Sequence, residues 1–181
     1  MNLILIGMRG SGKTDIGRKI ASLLSYNFFD LDELVALRLN KNIDQIVSEN
    51  GWNYFRQEEA KICESINQKN HAVISTGGGI ILNEKNIENL KQNGIIIFLN
   101  CDIEVLKKRL KRDQKNKENR PTLGEENPIK ELKKIWADRK GKYRSAADIV
   151  FDTSSESLDR NRDLGLKAEG IIALVKEKTV L

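Results

Sequence analysis

Gly7-Met8-Arg9-Gly10-Ser11-Gly12-Lys13-Thr14 fills every fixed position of the pattern Gly, four residues, Gly-Lys-Ser/Thr. Its surroundings constrain the fold further. Leu3-Ile4-Leu5-Ile6 is apolar without a break, as a strand covered on both faces should be. Behind the motif, Ile16, Ile20, Leu23 and Leu24 recur at helical spacing. The motif therefore sits where a buried strand turns into a helix. Glycines there let consecutive N–H groups point into one concavity, and the helix aims its unpaired N–H groups and positive dipole end at the same place. Lys13 adds a charge able to reach phosphates, and the Thr14 hydroxyl can coordinate Mg²⁺. A glycine-rich turn that merely precedes a helix would not need Lys13-Thr14. Arg9 adds positive potential or is a solvated loop side chain.

Strands and helices alternate along the rest of the chain, which predicts a parallel sheet covered by helices. Asn27-Phe28-Phe29, Ala72-Val73-Ile74-Ser75, Ile95 to Leu99 and Ile149-Val150-Phe151 are the further strands. Asn50-Gly51 reads as a stop between two helices, and Gln114 to Asn127 as a charged loop of lid character. The 181 residues predict one domain over 1–181, with the lid at about 113–127.

Charge and composition narrow the function classes. The net charge is +5, gathered in two basic runs, Lys107 to Arg120 and Lys130 to Arg144. They form either a solvated helical face or an electropositive rim for an anionic ligand. No aromatic lies between Lys107 and Lys134, which argues against stacking on nucleic-acid bases. No segment approaches ~18 apolar residues, so no membrane span is expected. Cys63 and Cys101 are not spaced as a metal pair and read as reduced core thiols of a cytoplasmic protein. His71 is the only histidine, so a general base must be sought among the carboxylates.

In open α/β sheets, ligands bind beyond the carboxyl ends of the strands. Three signals fall there: the motif at Gly7, Asp30-Leu31-Asp32, and Gly77-Gly78-Gly79. Asp30 and Asp32, two apart in extended or turning backbone, can face the phosphates together. One would hold Mg²⁺ through water while the other accepts a hydroxyl proton. The competing reading makes Asp32 only an N-cap. The glycine triplet either offers backbone N–H groups with no Cβ in the way of a ligand, or is a turn that merely needs positive φ. Arg56 and Glu59, three apart on one helix, are either a surface ion pair or an arginine aimed to fork a carboxylate or phosphate.

Taken together, these residues resemble the shikimate kinase family over essentially the full length. The resemblance rests on Gly7 to Thr14, Phe29-Asp30-Leu31-Asp32, Phe55-Arg56-Gln57-Glu58-Glu59, Gly77 to Gly79, Arg120-Pro121-Thr122-Leu123, and Arg139 ahead of Tyr143-Arg144. It implies an α/β fold: a three-layer P-loop kinase with a five-stranded parallel sheet flanked by helices and a mobile lid. It implies transfer of the γ-phosphoryl of ATP, with Mg²⁺, to the 3-hydroxyl of shikimate, by a monomer. The implied catalytic residues are Lys13, Asp32 and Arg120. Gly10, Ser11, Gly12, Lys13, Thr14, Asp15 and Arg120 would bind the nucleotide, and Thr14 and Asp30 would serve Mg²⁺. Asp32, Arg56, Gly78 and Arg139 would bind shikimate. The chain departs from the family pattern at Thr122, where leucine is usual, and at Glu156, where a basic or amide side chain is usual. Arg112 would lie beside the base. The alternatives are a kinase of another small hydroxy acid such as gluconate, a non-catalytic nucleotide-gated module, and a basic nucleic-acid-associated NTPase.

Overall fold

The structure is a computed structural model that describes residues 1–114 and 128–179, and their side chains except those of 113, 114 and 128–130. Five strands are present among the described residues: β1 (Asn2–Ile6), β2 (Asn27–Asp30), β3 (Ala72–Ser75), β4 (Gly94–Asn100) and β5 (Ile149–Asp152). They pair only in parallel, in the order β2-β3-β1-β4-β5. β1 lies at the centre, so its carboxyl end is flanked by the ends of β3 on one side and β4 on the other.

The unbroken apolar runs have a plain cause. Successive side chains of a strand point to opposite faces, and here both faces are buried. Ile4, Ile6, Ile74, Ile96 and Phe98 belong to one core layer. Leu3, Leu5, Val73, Ile95, Ile97, Leu99 and Ile149 belong to the other. The second layer is closed by α1 (Lys13–Leu24) and α7 (Arg160–Thr179), through Ile16, Ile20, Ala168, Ile171 and Val175. α2 (Leu31–Leu39), α3 (Ile43–Ile66), α4 (Glu84–Lys91), α5 (Ile103–Gln114) and α6 (Pro128–Ala146) close the first layer. The three-layer α/β arrangement is the one expected from sequence. Cys63 and Cys101 are both buried free thiols, in the first layer.

Of three local expectations one holds and two change. Asn50-Gly51 does interrupt the helix: within the span of α3 two helices meet at a kink, where Gly51 takes the non-helical φ 79° and ψ 167°. A Cβ at Gly51 would meet nothing within 4 Å, so the positive φ alone accounts for glycine there. The N-cap of α2 is Asp30, whose carboxylate accepts from the Asp32 backbone N–H, so the capping role falls on Asp30 rather than Asp32. The two aspartates thus stand on strand end and first helical turn rather than on one extended run. Residues 113 and 114 of the expected lid are the last of α5. Segment 115–127, and Arg120 with it, lies outside the described residues.

Candidate active site

The phosphate loop is built as its sequence requires. Gly7, Gly10 and Gly12 have φ of 148°, 83° and 94°, in the region that side chains rarely adopt. A Cβ on Gly7 would sit 2.8 Å from the Leu99 carbonyl oxygen and 2.9 Å from Ser11 Oγ. Gly12 caps α1 in the left-handed conformation, and Lys13 is the helix's first residue. Lys13 Nζ donates to the carbonyls of Gly7 and Met8, at 2.9 Å each, and the side chain is buried. Thr14 Oγ1 lies 2.9 Å from Asp30 Oδ2, whose other oxygen caps α2. Asp15, in the first turn of α1, has its exposed carboxylate paired with Arg160 at 2.7 Å.

The Gly77-Gly78-Gly79 turn after β3 gathers the remaining residues. A Cβ on Gly77 would lie 2.7 Å from Asp32 Oδ1 and 2.8 Å from Glu59 Oε1. A Cβ on Gly79 would lie 2.1 Å from Arg56 Nη2. A Cβ on Gly78 would lie 3.5 Å from the Arg9 backbone nitrogen, so this peptide rests on the phosphate loop. Arg139 Nη1 donates to the Gly78 carbonyl at 3.0 Å, and Tyr143 Oη donates to the same oxygen. Hence Asp32, Arg56, Gly78 and Arg139, widely separated in sequence, meet at one turn against the phosphate loop. Gly77 and Gly79 are glycine because Asp32, Glu59 and Arg56 occupy the space that side chains would need, whereas a Cβ on Gly78 would meet nothing closer than 3.5 Å. The expected alternative, a turn that merely needs positive φ, does not hold, since none of the three has one.

Arg56 is aimed by its own helix. One guanidinium nitrogen reaches both Glu59 oxygens, at 2.8 and 2.7 Å, and the group lies over the rings of Trp52 and Phe55 at 5.4 and 5.1 Å. Glu59 is fully buried. Burial pushes its carboxyl above the ordinary value, and the Arg56 charge and hydrogen bond only partly oppose that. A pocket of about 450 Å³ opens between α3 and α6, lined by Trp52, Arg56, Leu82, Lys134, Ile135 and Arg139 among others. Two guanidiniums in one concavity suit a planar anion, which each can fork.

The opposite flank of the phosphate loop, beside β4 and β5, is organised by Arg109, whose part the sequence did not reveal. Its guanidinium donates to the Gly10 carbonyl at 3.2 Å, the Thr153 carbonyl at 2.7 Å and Glu156 at 2.8 Å. Arg112 Nη2 lies 3.4 Å from the same Glu156 oxygen. The Arg109 hydrogen bond holds the Glu156 carboxyl below its ordinary range. Glu156, the departure from the family pattern, is thus a partner for two arginines. Tyr143 was visible only as part of a motif, as an aromatic four residues after Arg139; the structure buries it fully, one helical turn beyond that arginine.

Among the described residues no group of three or more His, Cys, Asp and Glu side chains could hold a metal. A hydroxyl and one carboxylate beside a phosphate loop nevertheless fit Mg²⁺, which takes few protein ligands and completes its shell with phosphate and water.

Comparison with known proteins agrees with this geometry. The family model for shikimate kinase matches residues 9–165. A shikimate kinase of Pelotomaculum thermopropionicum is 39% identical over 176 residues, covering 97% of this chain and 96% of the relative. The solved structure of an Acinetobacter baumannii shikimate kinase in complex with shikimate superposes with a TM-score of 0.88 at 30% identity, covering 99% of this chain and 95% of that one. The Aquifex aeolicus shikimate kinase superposes with a TM-score of 0.79 at 28% identity, with 99% of both chains covered. A phosphate loop at the centre of a 2-3-1-4-5 sheet, a pocket lined by two arginines, and these likenesses lead to one assignment: the chain belongs to the shikimate kinase family.

Proposed function

We propose that this kinase moves the γ-phosphoryl of ATP to the 3-hydroxyl of shikimate, giving shikimate 3-phosphate and ADP. The observation that carries the proposal is the glycine turn, which brings one carboxylate and two guanidiniums against a phosphate loop. Arg56 and Arg139 fork the carboxylate of shikimate. Asp32 orients its hydroxyls and takes the proton of the attacking one, and the Gly78 backbone completes the cradle. As the acceptor oxygen bonds to the γ-phosphorus, the bond to the β,γ-bridging oxygen breaks and its electron pair leaves with ADP. The N–H groups from Gly10 to Asp15 converge on the phosphates, and Lys13 follows the migrating charge. Thr14, and Asp30 through water, would hold Mg²⁺, which neutralises phosphate charge when bound. Arg120, from the segment 115–127, is assigned to the phosphates as part of a lid.

Further parts of the reading are a single domain over 1–181, supported by one continuous five-stranded sheet, and a monomer. Cytoplasmic location is supported by two free buried thiols. No membrane partner is proposed, because no helix among the described residues is long and apolar enough to cross one. No nucleic-acid partner is proposed, because the basic runs carry no stacking surface between Lys107 and Lys134. An ADP-release assay with ATP·Mg²⁺ and shikimate, its methyl ester, quinate, gluconate and nucleoside monophosphates tests the proposal. Turnover is expected with shikimate and nearly lost with the ester. Equal turnover of acid and ester would mean that the arginines do not read a carboxylate, and another polyol would become the acceptor.

A further inference from the structure

Tyr143 is fully buried on α6, one turn beyond Arg139. Its ring stacks on Phe98 of β4, with centroids 5.1 Å apart and planes 13° from parallel. Phe98 is paired with Ile6, the last residue of β1 before the phosphate loop. The Tyr143 hydroxyl donates to the Gly78 carbonyl and lies 3.8 Å from Met8 Sδ of the phosphate loop. The Gly78 peptide in turn touches the loop backbone, its Cβ position lying 3.5 Å from the Arg9 nitrogen and 3.7 Å from the Gly7 oxygen. One hydroxyl therefore stands where the acceptor turn, the phosphate loop and α6 meet. Burial pushes the phenol up to about 12, so it remains a neutral donor throughout the working pH range.

A merely structural tyrosine would need a partner for its buried hydroxyl, and any carbonyl would serve. This hydroxyl donates to the carbonyl that Arg139 also holds. We propose that Tyr143 is a positioning residue: by fixing the Gly78 peptide against the phosphate loop, it sets the distance over which the acceptor hydroxyl meets the γ-phosphorus. This inference rests on shikimate being the acceptor. Phosphoryl transfer depends largely on placement, with reacting atoms about 3–3.5 Å apart, and a misplacement of about 1 Å can cost about a hundredfold. Water, the competing acceptor, is not held by the turn, so loosening the turn should penalise transfer more than hydrolysis.

The test is Tyr143→Phe, which keeps the ring and its stacking. Rates of shikimate 3-phosphate formation and of ATP hydrolysis without acceptor are measured at saturating substrate, together with Tm. Transfer is expected to fall about tenfold relative to hydrolysis, with the KM for ATP little changed. An unchanged ratio overturns the proposal, whether both rates hold or both fall with Tm. Should Tyr143→Phe not fold, Phe98→Leu removes the surface under the ring while keeping the hydroxyl. It should shift the ratio in the same direction, and no shift there is equally fatal. A parent enzyme that does not phosphorylate shikimate refutes the acceptor assignment and this inference with it; a parent that does, with an unchanged ratio in the variants, refutes this inference alone.

Discussion

Substituting Gly79 by alanine adds one methyl group, yet it should disable acid binding. The added Cβ would lie 2.1 Å from Arg56 Nη2, 2.4 Å from Cζ and 2.8 Å from Nη1. Non-bonded heavy atoms settle at about 3.5 Å, so the guanidinium must retreat by roughly 1 Å or more. It has little room, since Glu59 grips it at 2.7 and 2.8 Å and two aromatic rings lie against it. A retreat of that size breaks the grip on Glu59 and misaims the fork. Truncating one partner of a buried charge pair at an interface costs about 2–5 kcal/mol, which is roughly 30- to 4,000-fold in affinity. Shikimate affinity in Gly79→Ala should fall within that range and match Arg56→Ala, while ATP affinity stays near the parent's. The fold should survive, because Glu59 can neutralise itself by taking a proton, a move that its raised carboxyl favours. Calorimetric titration of both ligands on both variants is the assay. Shikimate binding within threefold of the parent in Gly79→Ala would refute the steric argument and the role given to Arg56.

The other expectations follow from single contacts. Lys13→Ala should lose turnover by at least about a hundredfold while keeping its fold, as for loss of one preorganised charge contact, and near-parent turnover would dissolve the phosphate-loop assignment. Asp32→Asn should retain ATP binding but lose most transfer, by about 10²–10⁴-fold, measured under saturating shikimate. For Glu59, the folded state favours the protonated form, so its contribution to stability is fully present below the ordinary carboxylate value of 4.5 and is lost as pH rises through the raised folded value. The Tm of the parent minus that of Glu59→Gln should therefore shrink as pH increases from about 4 to 8; growth over that interval would reverse the sign of the argument.

What the sequence disclosed and withheld has a physical pattern. The strands were legible because burial on both faces leaves only apolar residues, as in Ile95 to Leu99. The phosphate loop was legible because its positive-φ glycines and its lysine are consecutive. Arg56 and Glu59 could be paired because helical spacing alone brings them together. By contrast, the exclusion zone around Gly77 and Gly79 depends on α2 and α3 arriving at one turn, which no local spacing encodes. The same holds for Arg109, whose contacts lie on residues 10, 153 and 156. Which aspartate caps α2 was not legible, because either Asp30 or Asp32 could begin the helix. Gly51 was legible as a breaker, because its φ and ψ leave the helical region and two helices meet there at a kink.

The two cysteines have a practical consequence. Cys63 is 0% exposed and Cys101 1%, and burial pushes both thiols up, away from the thiolate form. Maleimide reagents attack thiolates that they can reach, so the native background should be silent towards them. A fluorophore pair can then be placed without first removing either cysteine. Leu37, on α2 beside the acceptor flank, and Leu158, between β5 and α7, are exposed and point away from the core. Leu37→Cys and Leu158→Cys would place one dye on the helix that follows edge strand β2 and the other on the segment that follows the opposite edge strand, β5. Energy transfer between dyes at those two points would report their separation in a single molecule as it turns over.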